Sequence, residues 1–316
     1  MGERGLRDDY DVVVVGGGEA GLSGALTLAR ARRSVLVYDV GGGRDATMVV
    51  EVRRHGGRVV QGEVAAVGRR LGRFSVLLAD GRRVSARRVL VATGAEDELP
   101  SIDGLAARWG RDAVDCPYRH GWAVRDTAIG VLGEGPEGVG RALLWRQWSA
   151  DVALFTGTGK PSAEDTERLA ARGITLVDGR VTAIEAADRV TGVRLDDGTV
   201  IPRDVVAVDP RKAARAGFLA AVGLRPVEHP DGHGTFLPSG LAGHTRAPGV
   251  WAAGDVTDPA SPLAAARAQG ALAATAINAD LVAEETAEAV LFAQGPFSAA
   301  VEARICANRA DRHHGL

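Results

Sequence analysis

Short, wholly apolar runs alternate along this chain with glycine-rich loops and one-sided apolar stretches. Val12-Val13-Val14-Val15 contains no polar position, as expected of a strand buried on both faces of a parallel sheet. Gly16-Gly17-Gly18-Glu19-Ala20-Gly21 follows at once. Leu22, Ala25, Leu26 and Leu28 then fall on one side of a helix expected from about Leu22 to Arg32. A second strand is expected from Ser34 to Tyr38, ending at Asp39. Strand, glycine loop, helix and strand in this order predict an α/β class chain.

The pattern then repeats. Ile129 to Leu132 reads as a strand, Gly133-Glu134-Gly135-Pro136-Glu137-Gly138 as a second glycine loop, Val139 to Trp148 as a helix and Val152 to Phe155 as a strand. Gly62 to Val67 matches Gly179 to Ile184, and Asp-Gly turns at Asp80-Gly81 and Asp197-Gly198 mark equivalent hairpins. Val89 to Ala92 matches Val205 to Val208, while Val250 to Asp255 reads as the last strand of the first unit, followed by a helix from about Leu263 to Leu281. The chain is therefore expected to hold two Rossmann-like (three-layer ββα/βαβ) nucleotide-binding domains, the second inserted into the first. The expected boundaries are 1–122 plus 247–316 for the first domain and 123–246 for the inserted one.

The first glycine loop is a dinucleotide fingerprint in its proper setting. Gly16 permits the tight turn, Gly18 lets the backbone approach a pyrophosphate, and Gly21 allows close helix–strand packing. The helix N-terminus offers oriented N–H groups to phosphates. Asp39 stands where a carboxylate accepts ribose hydroxyls. The second fingerprint is poorer. Pro136 removes one N–H donor from the loop, and Phe155-Thr156-Gly157-Thr158-Gly159-Lys160 offers neither a ribose-binding carboxylate nor an arginine pair for a 2′-phosphate. A working NAD(P)H site is not expected there.

Composition narrows the partners. The 316 residues are 46% hydrophobic, enough for two domains with sizeable cores. A formal charge of −2 gives no reason to expect nucleic acid or an anionic membrane as partner. No apolar run approaches the roughly 20 residues of a membrane span. Cys116 and Cys306 are the only cysteines, which fits a reducing cytoplasm and no disulfide framework.

The chain resembles the low-molecular-weight thioredoxin reductase superfamily over nearly its whole length. It is most similar to the branch of FAD-dependent dithiol oxidases that close disulfides in gliotoxin- and holomycin-type natural products. The residues carrying the resemblance are Gly16 to Gly21, Leu90-Val91-Ala92-Thr93-Gly94, Cys116-Pro117-Tyr118-Arg119-His120-Gly121 with Trp122, and Gly254-Asp255. The resemblance implies a homodimeric FAD protein. Gly16, Gly18, Gly21 and Asp39 would hold the ADP half, Thr93 and Gly94 would lie beside the cofactor, and Asp255, next to Gly254, would reach the ribityl chain. It also implies a flavin reoxidised by dioxygen, without NADPH.

The chain departs from that family around the expected flavin ring. Arg119 stands where a Cys-x-x-Cys motif has its second cysteine. A thiol relay needs one sulfur to form a mixed disulfide and another to resolve it, so thioredoxin reductase chemistry cannot run on Cys116 alone. Asp115 and Ala123 stand where relatives tend to have His and Glu. Ser261-Pro262-Leu263 replaces a stretch that usually offers a Gln to the flavin pyrimidine, and the chain lacks a segment after Arg44 that covers part of the ring in the family. Cys116, Arg119 and His120 are the candidate catalytic residues. Arg119 and His120 can favour a Cys116 thiolate, Arg119 can hold a substrate anion, and His120 can act as a general base. The competing readings are Cys116 packed as a small hydrophobe and Arg119 paired with Asp115 one helical turn away. His229, His233 and His244 share a Gly/Pro-rich stretch that reads as solvated turns, so no metal site is expected.

These readings converge on an FAD-dependent oxidoreductase or oxidase acting on a small molecule in specialised metabolism, without a disulfide relay. A second reading keeps the scaffold but loses flavin redox function and uses the opened cleft for another ligand. A third is an NAD(P)H-dependent reductase resembling ferredoxin–NADP reductases.

Overall fold

The computed structural model describes residues 9–41, 45–232 and 234–293, with positions 299, 302–304 and 306 beyond them. The chain divides into two compact units, Met1–Glu96 with Lys212–Leu316, and Asp97–Arg211. Among the described residues no helix is long and apolar enough to cross a membrane.

The first unit opens with β1 (Asp9–Val15), α1 (Glu19–Arg30), β2 (Val35–Asp39), α2 (Ala46–Arg54), β3 (Arg58–Gln61), β4 (Val64–Arg70), β5 (Arg73–Leu78) and β6 (Arg83–Val91). Its sheet runs β3-β2-β1-β6-β5-β4. β1 lies parallel to both β2 and β6, with Val15 opposite Tyr38 and Val91. The fully apolar β1 is buried on both faces because core clusters lie on each side: Val13 and Val15 in one, Val12 and Val14 in the other.

The chain leaves the first unit within β7 (Ala95–Glu98). The inserted unit comprises α3 (Leu105–Arg108), β8 (Ala113–Val114), α4 (Pro117–His120), β9 (Ile129–Leu132), α5 (Gly135–Trp145), β10 (Val152–Phe155), α6 (Ala163–Ala171), β11 (Thr175–Val177), β12 (Val181–Ala186), β13 (Val190–Leu195), β14 (Val200–Pro202) and β15 (Val205–Val208). Its parallel sheet runs β11-β10-β9-β15-β8, with an antiparallel β12-β13-β14 sheet beside it. Asp80-Gly81 and Asp197-Gly198 both turn as expected. Their carboxylates accept the N–H of Arg82 and Thr199 at 3.0 and 2.8 Å.

The chain returns through β16 (Arg211–Ala214), β17 (Val227–Glu228), β18 (Thr235–Phe236), β19 (Val250–Ala252) and α7 (Leu263–Ala293). β19 adds to β6 in parallel, with Trp251 opposite Leu90. α7 packs on α1, where a Cβ on Gly270 would overlap the carbonyl oxygen of Ala20.

The unit boundaries lie elsewhere than the expected 122/123 and 246/247. β8 joins the inserted unit's sheet through Ala113 opposite Val206, which carries Cys116–Gly121 with it. Ala216, Leu219, Leu224 and Leu237, expected in the inserted domain, complete the core of the first unit. Both shifts come from short apolar segments whose tertiary packing carries no periodic signal.

Candidate flavin cavity and the Cys-x-x-Arg motif

A cavity of about 960 Å³ opens in the first unit at the carboxyl ends of β1 and β2, at the upper end of the size range of ligand pockets. Gly16, Gly18, Asp39, Thr93, Gly94, Gly254 and Asp255 all line it. Gly21, the remaining predicted cofactor residue, lies behind the wall, where a Cβ would overlap the carbonyl oxygen of Gly16. This is its expected packing role.

The local geometry explains the sequence. Gly16 has φ +107°, and a Cβ there would overlap the carbonyl oxygen of Ala92, so only glycine permits the turn. Gly18 is the N-cap of α1 with no side chain to satisfy the first turn. A Cβ on it would meet nothing within 4 Å, leaving space for a phosphate to approach the backbone. Asp39 Oδ1 accepts the Gly17 N–H and Oδ2 the Gly41 N–H, both at 3.0 Å. Each carboxylate oxygen has capacity for more than one donor.

Other features were not legible in the sequence. The Thr93 hydroxyl donates to the Arg215 carbonyl at 2.6 Å, and the Arg215 N–H donates to the Gly94 carbonyl at 3.1 Å. Thr93 therefore clasps the returning chain as well as lining the cavity. Gln269, on α7, accepts the Gly254 N–H at 2.8 Å and donates to Ser261 Oγ at 3.3 Å. Arg267 joins Glu19 at the start of α1 to Asp45, the N-cap of α2. Asp45 ends the short connection from β2, and Gly42 to Arg44 within it lie outside the described residues. The segment of Ala213 to Phe218 also borders the cavity. Nothing in its sequence announces a site, because only tertiary packing brings it there.

The candidate catalytic residues form their own cluster in the inserted unit. Cys116 is half-buried at the N-cap of α4, and it and Cys306 are both free. Pro117 opens the helix, where its missing N–H costs nothing. Asp115 sits between a guanidinium and an imidazole. Its Oδ2 is 3.9 Å from the Arg119 guanidinium and its Oδ1 is 3.4 Å from His120 Nδ1. The Arg119 pairing with Asp115 is thus present, and the guanidinium remains half exposed. His120 Nδ1 is buried and makes no aligned hydrogen bond among the described residues, so its approach to Asp115 falls outside good hydrogen-bond geometry. Tyr118 packs edge-on against Trp148, and Arg125 stacks over Trp122 at 4.2 Å.

The second fingerprint differs from expectation in two respects. Pro136 lies in the first turn of α5 rather than in a loop, where it breaks no helix hydrogen bond. A carboxylate is also present at the end of β10. It comes from Glu134, whose Oε1 accepts the Thr158 N–H at 3.4 Å. The sequence signal was the acid inside the glycine loop, at the position Gly17 holds in the first repeat.

His229 contacts Asp231 at 3.6 Å, and His244 Nδ1 meets the Leu241 carbonyl at 2.9 Å. His233, His313 and His314 lie outside the described residues. Among the described residues no group of three or more His, Cys, Asp and Glu side chains is arranged to hold a metal ion.

The family described as "Pyridine nucleotide-disulphide oxidoreductase" matches residues 10–278. The chain is 28% identical to "Thioredoxin reductase tcpT" of Claviceps purpurea (strain 20.1) over 309 residues, covering 86% of this chain and 95% of that one. The crystal structure of HlmI superposes with TM-score 0.82 at 38% identity, covering 93% of this chain and 99% of that one. An oxidoreductase from Agrobacterium tumefaciens superposes with TM-score 0.79 at 31% identity, covering 87% and 99%. A fingerprint cavity, its repeat in an inserted unit and this span of similarity agree: the chain belongs to the pyridine nucleotide-disulphide oxidoreductase family, in its thioredoxin-reductase-like group of flavin-dependent oxidoreductases.

Proposed function

We propose that this protein is an FAD-dependent oxidase of a small molecule in specialised metabolism, working without a protein disulfide relay. One observation carries the reading. The first unit keeps an open fingerprint cavity with its acid in place, while the motif that would relay electrons has one sulfur and an arginine.

The cavity fits the cofactor. The open face of Gly18 at the uncapped start of α1 suits a pyrophosphate. Asp39, already oriented by two backbone N–H groups, suits the ribose hydroxyls. Gly254, held by Gln269, presents Asp255 to the cavity. When bound, FAD supplies two-electron acceptance. Arg119 would bind an anionic group of the substrate. His120 would accept the substrate proton, its imidazolium stabilised by Asp115. Overall, the substrate loses two electrons and two protons, and dioxygen takes them up as hydrogen peroxide. A homodimer is the proposed working unit, as the family resemblance implies.

The test begins with the visible spectrum of the purified protein. A flavin band near stoichiometry, bleached by substrate without air and restored with one peroxide per turnover in air, supports the reading. A colourless protein that also refuses added FAD would leave the repurposed-cleft reading in its place.

A further inference from the structure

The two fingerprints can be compared residue by residue, because each glycine loop joins strands in the same register. Val15 lies opposite Tyr38 in the first repeat, and Leu132 opposite Phe155 in the second. Gly17 therefore corresponds to Glu134, Asp39 to Thr156, Val40 to Gly157 and Gly41 to Thr158.

In the first repeat the acid comes from the strand end. Asp39 accepts from Gly17 and Gly41, and a Cβ on Gly17 would sit 2.8 Å from Asp39 Cβ. The space in front of that loop position belongs to the strand's acid. In the second repeat the arrangement is transposed. The strand end carries Thr156, which is 2% exposed and whose hydroxyl turns to Asp178 at 3.3 Å. The acid comes from the loop, and Glu134 Oε1 accepts from Thr158, the counterpart of Gly41. Its carboxylate lies so close over Gly157 that a Cβ there would overlap it. Meanwhile the face of Gly135, counterpart of Gly18, is open, and Gly133 and Gly138 keep their mutual packing. The glycines of the phosphate end keep their packing, with Pro136 withholding one N–H donor, and the ribose end holds a carboxylate.

A 2′-phosphate is recognised by cations at the end of this second strand. Here Lys160 is the nearest cation in sequence, and a carboxylate lies on the strand end itself. We infer that Glu134 is the specificity-determining residue of the inserted unit, whose carboxylate bars the 2′-phosphate of NADPH from a fingerprint that keeps its glycine packing. This inference rests on the oxidase reading above and accounts for one part of it: the Glu134 carboxylate occupies the end of β10 that a 2′-phosphate would need.

The test is NADPH binding, read by nicotinamide fluorescence and calorimetry with the flavin-loaded protein. Three forms are compared: the unaltered chain, Glu134→Gly, which restores the residue of the first repeat, and Glu134→Gln, which keeps the bulk and removes the charge. The unaltered chain is expected to show no saturation at millimolar NADPH. At least a tenfold gain in affinity in either variant supports the inference, and a gain in Glu134→Gln assigns the effect to charge. Tight NADPH binding by the unaltered chain overturns the inference and the oxidase reading together. No gain in either variant, with circular dichroism unchanged, overturns the inference alone and moves the block to Pro136.

Discussion

The carboxylate of Asp39 accepts the backbone N–H of Gly17 at 3.0 Å, so the acid that would hold a ribose is oriented by the glycine loop itself. Replacing Asp39 by Ala removes both that orientation and the acceptor. FAD affinity is expected to fall at least tenfold, as for the loss of a hydrogen bond to a charged group, about 1.5–3 kcal/mol. Titration of the apoprotein with FAD checks this, with Asp39→Asn expected to fall between the two.

Gly16 and Gly18 are expected to fail differently. Gly16→Ala sets a Cβ against the Ala92 carbonyl at positive φ and should cost about 3 kcal/mol of stability. Gly18→Ala meets no protein atom, so the melting temperature of the apoprotein should hardly move while FAD binding weakens. Melting curves with and without FAD separate the two. Equal destabilisation of both apoproteins would show that Gly18 is not the close-approach position.

At the motif, Cys116→Ser is expected to leave turnover unchanged, since Arg119 stands where a Cys-x-x-Cys relay has its second sulfur. His120→Ala should slow flavin reduction by about 100-fold, the lower range for a lost general base. Asp115→Asn should weaken the same step less, because Asp115 acts through His120, which it approaches to 3.4 Å. Stopped-flow flavin reduction is the measurement. A Cys116→Ser protein that cannot reduce its flavin would restore a thiol mechanism.

Acid should loosen the far half of α7. Burial pushes Asp11 and Glu284 up, but hydrogen bonds outweigh it: from Ser34 and Arg87 to Asp11, and from Arg88 and Arg87 to Glu284. Hydrogen bonds from Arg33 and Arg87 hold Glu285 down as well. All three carboxyls are therefore lowered in the folded state. The stability they contribute is fully present above their unfolded values, 3.8 for Asp and 4.5 for Glu, and is lost as pH falls below about 5. Arg87→Met should lower the melting temperature at pH 7, and its difference from the unaltered chain should shrink toward pH 4. A constant difference would remove this network as the source.

The elements built on dense local patterns were readable from the chain alone. Ile129–Leu132 and Val152–Phe155 form strands at the expected residues, because short apolar runs bounded by glycine or polar turns leave little choice of register. The cavity walls at Gly16, Gly18 and Asp39 followed from the fingerprint spacing, and Asp255 from the family resemblance. What could not be read was tertiary. Gln269 reaches Gly254 from across α7, and Ala213 to Phe218 borders the cavity without any local pattern. Glu134 was visible, but its meaning depends on where its side chain lies, which spacing does not fix.

The clasp between Thr93 and Arg215 bears on how such a chain could arise. Thr93 and Gly94 meet Arg215 through two hydrogen bonds, so the strands leaving and re-entering the first unit are tied at its margin. To that unit, everything between is one long loop whose ends already touch, and loop closure costs only about 0.6 kcal/mol more for each doubling of length. A duplicated gene segment could enter at that point without disturbing the parent sheet. A segment placed there can vary in its own glycine loop, as Glu134 does where the first repeat has Gly17, without altering the parent cavity.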